Sequence, residues 1–145
     1  MKDYLGYKDK VCGVTGAASG MGKATCEMLV ELGAKVYAMD VADITVPVAK
    51  SIKLNLGDKA SIDAAFAQVP EKIDKFYGIA GVSGVQTVFS TTIRINFIGH
   101  KYAVEEYVLK NLAENGAIAL MGSLGGTGWL ETREELSAVV NGKGW

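Results

Sequence analysis

Short apolar runs and longer helical stripes alternate along this chain. The first run, Val11-Cys12-Gly13-Val14, is too short for a helix and predicts a buried strand ending in a glycine-rich turn. From Met21 to Leu32, apolar Ala24, Met28, Leu29 and Leu32 recur at helical spacing, with Gly33 where a C-terminal cap is expected. Lys35 to Met39 reads as a second strand ending at Asp40, Val41 to Pro47 as a connection, and Ser51 to Leu54 as a third strand. Asp58 is placed to cap a short helix carrying Ile62, Ala65, Phe66 and Val69, and Ile73 to Ala80 resembles a fourth strand. A long helix is expected from about Phe89 to Asn115, with Ile93, Phe97, Val104, Val108 and Leu112 on one face. Gly116 would end it before a fifth strand, Ala117 to Met121.

Strands alternating with helices through short connections predict an α/β fold with helices on both faces of a parallel sheet. Right-handed connections favour the Rossmann doubly wound arrangement with strand order 3-2-1-4-5. After Ser123 the pattern degrades. Gly122, Gly125, Gly126 and Gly128 precede a polar, weakly helical stretch from Glu131 to Val140, and residues 122–145 read as a flexible insertion.

Composition narrows this picture in three ways. A length of 145 residues suits one domain with a substantial core. The formal net charge of -1 offers no electrostatic case for nucleic acid or an anionic membrane. No apolar run approaches membrane-spanning length, and the N-terminal Met1 to Lys10 is polar, without a signal-peptide core, so a cytoplasmic location is expected. Cys12 and Cys26 fall in a strand-like and a helix-like segment and are expected to be buried free thiols.

The chemistry concentrates in Thr15-Gly16-Ala17-Ala18-Ser19-Gly20-Met21-Gly22. Gly16, Gly20 and Gly22 would permit a tight exit from the strand, close approach of backbone amides to a pyrophosphate, and close helix–strand packing. The turn follows a strand, opens a helix and has an acid, Asp40, 18 residues past Gly22. Gly22-Lys23 resembles the end of a nucleoside-triphosphate P-loop. That motif, however, needs glycine at 17 and a hydroxyl residue at 24, and both positions are alanine. Asp40 can accept hydrogen bonds from both adenosine ribose hydroxyls and would repel a 2'-phosphate. No Arg or Lys lies between Val41 and Ala49 to offset it, so NAD is expected rather than NADP.

The spacing Thr15-Gly16-x-x-x-Gly20-x-Gly22 resembles the signature of the short-chain dehydrogenase/reductase family, and the resemblance extends from about Val11 to Gly126. It is nearest to the 3α-hydroxysteroid dehydrogenase/carbonyl reductase-like branch, which shares the Asp40 to Asp43 spacing and a long insertion after the serine. The resemblance assigns Thr15, Gly16, Ala18, Ser19, Gly20, Met21 and Gly22 to the cofactor, followed by Asp40 and Val41. Asn55-Leu56 stands where the family has Asp-Val or Asp-Leu against adenine. Ile79-Ala80-Gly81 stands for Asn-Ala-Gly, a departure that removes a polar contact but keeps Ala80 and Gly81 at the cofactor. The family's helical asparagine is matched by Asn96 and its catalytic serine by Ser123. His100, Arg94 and Lys101 are read as packed or solvated helix residues, and no residue is assigned to a metal.

Carbonyl reduction also needs a proton donor, which in the family is a tyrosine followed four residues later by a lysine. No tyrosine follows Tyr107, and Tyr4 to Lys8, ahead of the first strand, is a coincidental match. The resemblance therefore implies the cofactor half of an NAD-dependent oxidoreductase acting on a secondary alcohol or ketone, truncated and inactive alone, and a homo-oligomer at full length. The alternative is a non-catalytic NAD-binding or regulatory module.

Overall fold

The computed structural model of the chain describes residues 3–69, 72–142 and 145. Met1, Lys2, Lys143 and Gly144, read from sequence as parts of polar terminal segments, lie outside the described residues. Five strands, β1 (Val11–Thr15), β2 (Lys35–Asp40), β3 (Lys50–Lys53), β4 (Ile73–Gly78) and β5 (Leu112–Leu120), form one sheet. Their order is β3-β2-β1-β4-β5 and every neighbouring pair is parallel, as the alternation of apolar runs and helical stripes requires.

Side chains of the central strands alternate between two cores. Cys12, Val14, Val36 and Ala38 face α1 (Gly20–Glu31) and pack with its Cys26 and Leu29. Val11, Tyr37, Met39, Ile52 and Phe76 face the other layer, formed by α2 (Lys59–Phe66) and a long helical stretch, residues 89–111 (α3). Both cysteines are free and buried, and burial pushes their thiols up, Cys12 to about 12 and Cys26 to about 11. Gly13 leaves space for the Phe76 ring, which a Cβ there would meet at 3.0 Å.

The caps follow the sequence closely. Asp58 Oδ1 accepts from the Ala60 amide at 3.0 Å and starts α2. After α1, Gly33 takes φ +83° and donates to the Val30 carbonyl while Ala34 donates to Leu29, a Schellman ending. Asp63 of α2 accepts from Tyr102 at 2.8 Å and Tyr107 at 2.7 Å, which ties α2 to α3. That tie helps set the height at which α3 presents its N-terminal half to the ends of the strands.

Two expectations are corrected. The long helix stops at Asn111, and Leu112 already pairs with Ile73, so Gly116 lies inside β5 and does not end a helix. The ladder shifts register between Ile73 and Lys75, and residues 113–116 bulge out before regular pairing resumes at Ala117. The buried face of α3 also departs in part from the expected stripe. Its Arg94–Gly99 and Val104–Val108 segments are wound as π-helix, which rotates later residues relative to an ideal 3.6-residue repeat. Val104 and Val108 of the expected stripe do meet the core, Leu112 reaches it from β5, and Ile95, Tyr102 and Ala103 join them, while Phe97 lies half-buried beside a different cleft.

Past β5, a 3-10 turn (Leu124–Gly126) leads to α4 (Arg133–Asn141), which covers most of the stretch read as weakly helical and runs one residue beyond it. Lys101 donates to the Gly142 carbonyl at 2.9 Å and Trp145 stands edge-on to Tyr102, so this segment returns to α3. Among the described residues no helix is long and apolar enough to cross a membrane.

The fully buried Phe76 is the largest side chain at the sheet centre. Phe76→Ala is expected to lower the free energy of unfolding by about 3–5 kcal/mol in urea titrations. A loss below about 1 kcal/mol would contradict the packing described.

Candidate dinucleotide-binding site

Where β1 runs out, the chain must turn from the sheet into α1 without obstructing the strand ends. Gly16 does this at φ +73°, and a Cβ there would stand 2.7 Å from the Ala80 Cα, so glycine is required twice over. A Cβ on Gly22 would overlap the Gly16 carbonyl, which fixes how closely α1 docks on the turn. Gly20 has φ +51° and open space beyond its Cα. The three glycines thus divide the work as their spacing suggested: turning, packing and leaving room.

The space so left is a cleft of about 330 Å³ at the carboxyl ends of the strands, beside the switch point between β1 and β4. Of the residues assigned from sequence, Gly16, Ser19, Gly20, Met21 and Gly22 line its turn side. Asp40, Val41, Asn55 and Leu56 line its far end, and Ala80 and Gly81 its floor. Thr15 is buried behind it, and Ala18 reaches it through its backbone. The Asp40 carboxylate spans the cleft's rim, with Oδ2 accepting from the Ala18 amide at 2.9 Å and Oδ1 from Ala42 at 2.8 Å. A carboxylate held by two amides is pre-oriented for a diol, and the bare Gly20 surface fits a bulky anion, so the residues fit a dinucleotide.

Asn96 and Ser123 are not brought together with the same clarity. Asn96 clamps the loop after β4: its Oδ1 accepts from the Val82 amide at 2.8 Å and its Nδ2 donates to the Val82 carbonyl at 2.9 Å. Ser123 is exposed and accepts from the Gly125 amide at 3.1 Å, capping the short turn that follows β5. Tyr4 and Lys8 are exposed in the segment before β1.

Two residues that matter here carried no local signal. Lys53, paired with Asp40 in the β2–β3 register, sends its ammonium to the Val41 carbonyl at 3.1 Å and to Asp43 at 2.7 Å. A cation thus stands near the Asp40 end of the cleft, already engaged by Asp43. His100, from α3, is buried against the end of β1, with Nε2 3.2 Å from Thr15 Oγ1 and Nδ1 3.2 Å from the Ile95 carbonyl. Thr15 Oγ1 also accepts from the Ile79 and Ala80 amides, at 3.1 and 3.2 Å. Those amides have left the sheet ladder, which is why β4 ends at Gly78 and not at Ala80.

Burial holds the His100 imidazole below its ordinary pKa, against an opposing contribution from the Ile95 carbonyl. The unfolded chain therefore binds a proton here before the folded one does, so stability is complete above the unfolded pKa near 6.5 and declines as pH falls below it. Carboxylates such as Asp43, Asp63 and Asp74, whose folded pKa values are lowered, act below the ordinary carboxylate range, in a separate window. Urea midpoints are expected to fall between about pH 7 and pH 5 in the wild type and to stay nearly flat in His100→Gln. Equal slopes would contradict the burial of His100.

The chain matches the family model for short chain dehydrogenases over residues 10–133. It is 33% identical over 138 residues to a coniferyl-alcohol dehydrogenase from a Pseudomonas species, covering 91% of this chain and 53% of that protein. It is 29% identical over 135 residues to an acetoacetyl-CoA reductase from Synechocystis, covering 84% and 56%. A short chain dehydrogenase from Leptospira borgpetersenii, solved with bound NAD+, superposes with a TM-score of 0.70 at 20% identity, over 82% of this chain and 53% of that one. The chain spans about half the length of the curated relatives it matches. With the glycine turn, the strand order and Asp40 in register with that match, the chain belongs to the short-chain dehydrogenase family.

Proposed function

We propose that this chain is the cofactor half of an NAD-dependent oxidoreductase acting on a secondary alcohol or ketone. The observation that carries the reading is the pairing of Asp40 with the glycine turn: its carboxylate is held by Ala18 and Ala42 at the far end of a cleft whose near end is bare backbone. Gly16, Gly20 and Gly22 would hold the pyrophosphate, and the positive end of α1 would favour its charge. Asp40 would accept the ribose hydroxyls, with Asn55 and Leu56 at the adenine and Ala80 and Gly81 along the dinucleotide's inner edge. When bound, the nicotinamide supplies or takes up hydride at the substrate carbon.

In this proposal Ser123 orients the substrate oxygen, and Asn96 steadies the loop at Val82 beside the site of proton transfer. The family resemblance calls for a Tyr-x-x-x-Lys pair after the serine, and this chain holds no tyrosine after Tyr107. A chain spanning about half the length of its relatives supports placing that pair, and the rest of a homo-oligomeric enzyme, outside these residues. On this reading the chain binds the cofactor and does not by itself turn over substrate.

NAD is favoured over NADP because a 2'-phosphate would meet the Asp40 carboxylate, and the nearby Lys53 is engaged by Asp43. Calorimetric titration of Asp40→Ala is expected to show about tenfold weaker NAD binding, with the preference over NADP reduced or lost. An unchanged preference would remove the ribose role. Binding of neither dinucleotide to the wild type would remove the cofactor reading altogether.

A further inference from the structure

The hydroxyl of Thr15 stands at the joint between the glycine turn and the floor of the cleft, and its hydrogen bonds can be counted. A threonine hydroxyl has one proton to donate and two lone pairs to accept with. Both lone pairs are used, because the Ile79 and Ala80 amides can only donate, at 3.1 and 3.2 Å. The hydroxyl proton must therefore go to the remaining neighbour, His100 Nε2, at 3.2 Å. For Nε2 to accept, it must carry no proton, so the ring proton sits on Nδ1, where the Ile95 carbonyl is 3.2 Å away and can only accept. Each bond fixes the direction of the next, and among the described residues no buried side-chain polar atom lacks a partner.

We propose that His100 is a positioning residue for the dinucleotide cleft: as the neutral Nδ1–H tautomer it accepts a hydrogen bond from the Thr15 hydroxyl at Nε2 and thereby keeps both Thr15 lone pairs on Ile79 and Ala80, holding them against the end of β1. The spacing at this joint is what Gly16 needs, since its Cα is followed at once by Ala80 across the cleft floor. Room for the ring comes from Gly78, where a Cβ would lie 3.0 Å from the His100 ring. A protonated ring would present N–H at Nε2 to an oxygen whose lone pairs are already used. Thr15 would then have to release one of the two amides, and the floor of the cleft would shift.

The surroundings make the neutral ring the resting form. The charged groups sharing its outer cleft are Lys101 and Glu105, which pair with each other at 2.8 Å. The other packed elements face it with Thr15, Gly78, Leu120, Met121 and Val140, none of them titratable. Burial thus acts on the ring without a counter-charge.

His100 is this chain's one histidine, so long-range proton–nitrogen correlation spectra report on it alone. At about pH 7.5 the spectra are expected to show a protonated Nδ1 and a bare Nε2. A proton on Nε2, or a ring averaging between tautomers, overturns the proposal whether or not a dinucleotide binds. The affinity arm rests on the proposed cofactor reading. His100→Phe is expected to weaken NAD binding about five- to tenfold at that pH, a hydrogen bond's worth. His100→Gln, whose carbonyl can accept from Thr15, should restore binding and remove the decline that the wild type shows toward about pH 5.5. Thr15→Val should match His100→Phe, and the double variant should add little. His100→Phe binding NAD as tightly as the wild type overturns the proposal. A wild type that binds no dinucleotide defeats the cofactor reading, and the tautomer then judges the network by itself.

Discussion

Everything at the mouth of this sheet depends on how closely three backbone segments approach one another at the end of β1. The Gly16 carbonyl lies against the Cα of Gly22, and Gly16 itself lies against Ala80. A methyl group at either glycine would separate α1 from the turn or the turn from the loop after β4. With the approach intact, the first amides of α1 look onto a space bounded by β2 on one side and β4 on the other. The cleft is the volume left over once those contacts are made, and its shape is inherited from them. Asp40 closes the same arrangement from the opposite rim by accepting the Ala18 amide, so the acid is braced by the turn it faces.

Polar groups behind the cleft finish what the glycines begin. Thr15 is fully buried, and its hydroxyl collects the two amides that leave β4. Asn96 does the same one step further on, holding both the amide and the carbonyl of Val82. Together they pair the Ile79, Ala80 and Val82 amides and the Val82 carbonyl as the chain leaves β4, meeting the need of backbone groups that have left the sheet. Thr15 belongs to the sheet itself, and Asn96 sits on α3, whose Tyr102 and Tyr107 grip Asp63 on the neighbouring helix.

Local patterns made the sheet legible and most of the cleft with it. Four-residue apolar runs identified β1 and β2, and Asp58 and Gly33 marked helix ends, because the physics of each is contained within a few residues. The end of α3 was not legible. Val104, Val108 and Leu112 continue a helical repeat, but Leu112 is taken by Ile73 in the sheet, and a tertiary pairing prevails over local spacing. The bond from His100 to Thr15 gave no sign, beyond the expectation of a packed or solvated helix residue, because the two lie 85 residues apart in the chain. Lys53 is not legible from the residues that follow Asp40, because it lies beyond the connection over residues 41–49 and only the register of β3 brings it alongside Asp40. Ser123 is assigned by the family resemblance alone, and its hydrogen bond stays within its own turn.

The central claim is that the bare turn and Asp40 form one dinucleotide cradle, and amide-resolved NMR during titration with NAD tests it most directly. The account predicts that the largest shifts fall on the turn amides of Ala18, Ser19, Gly20, Met21 and Gly22 and, at the other rim, on Ala42, which with Ala18 holds Asp40. Shifts scattered over other surfaces, or none at these amides at saturating NAD, would contradict it.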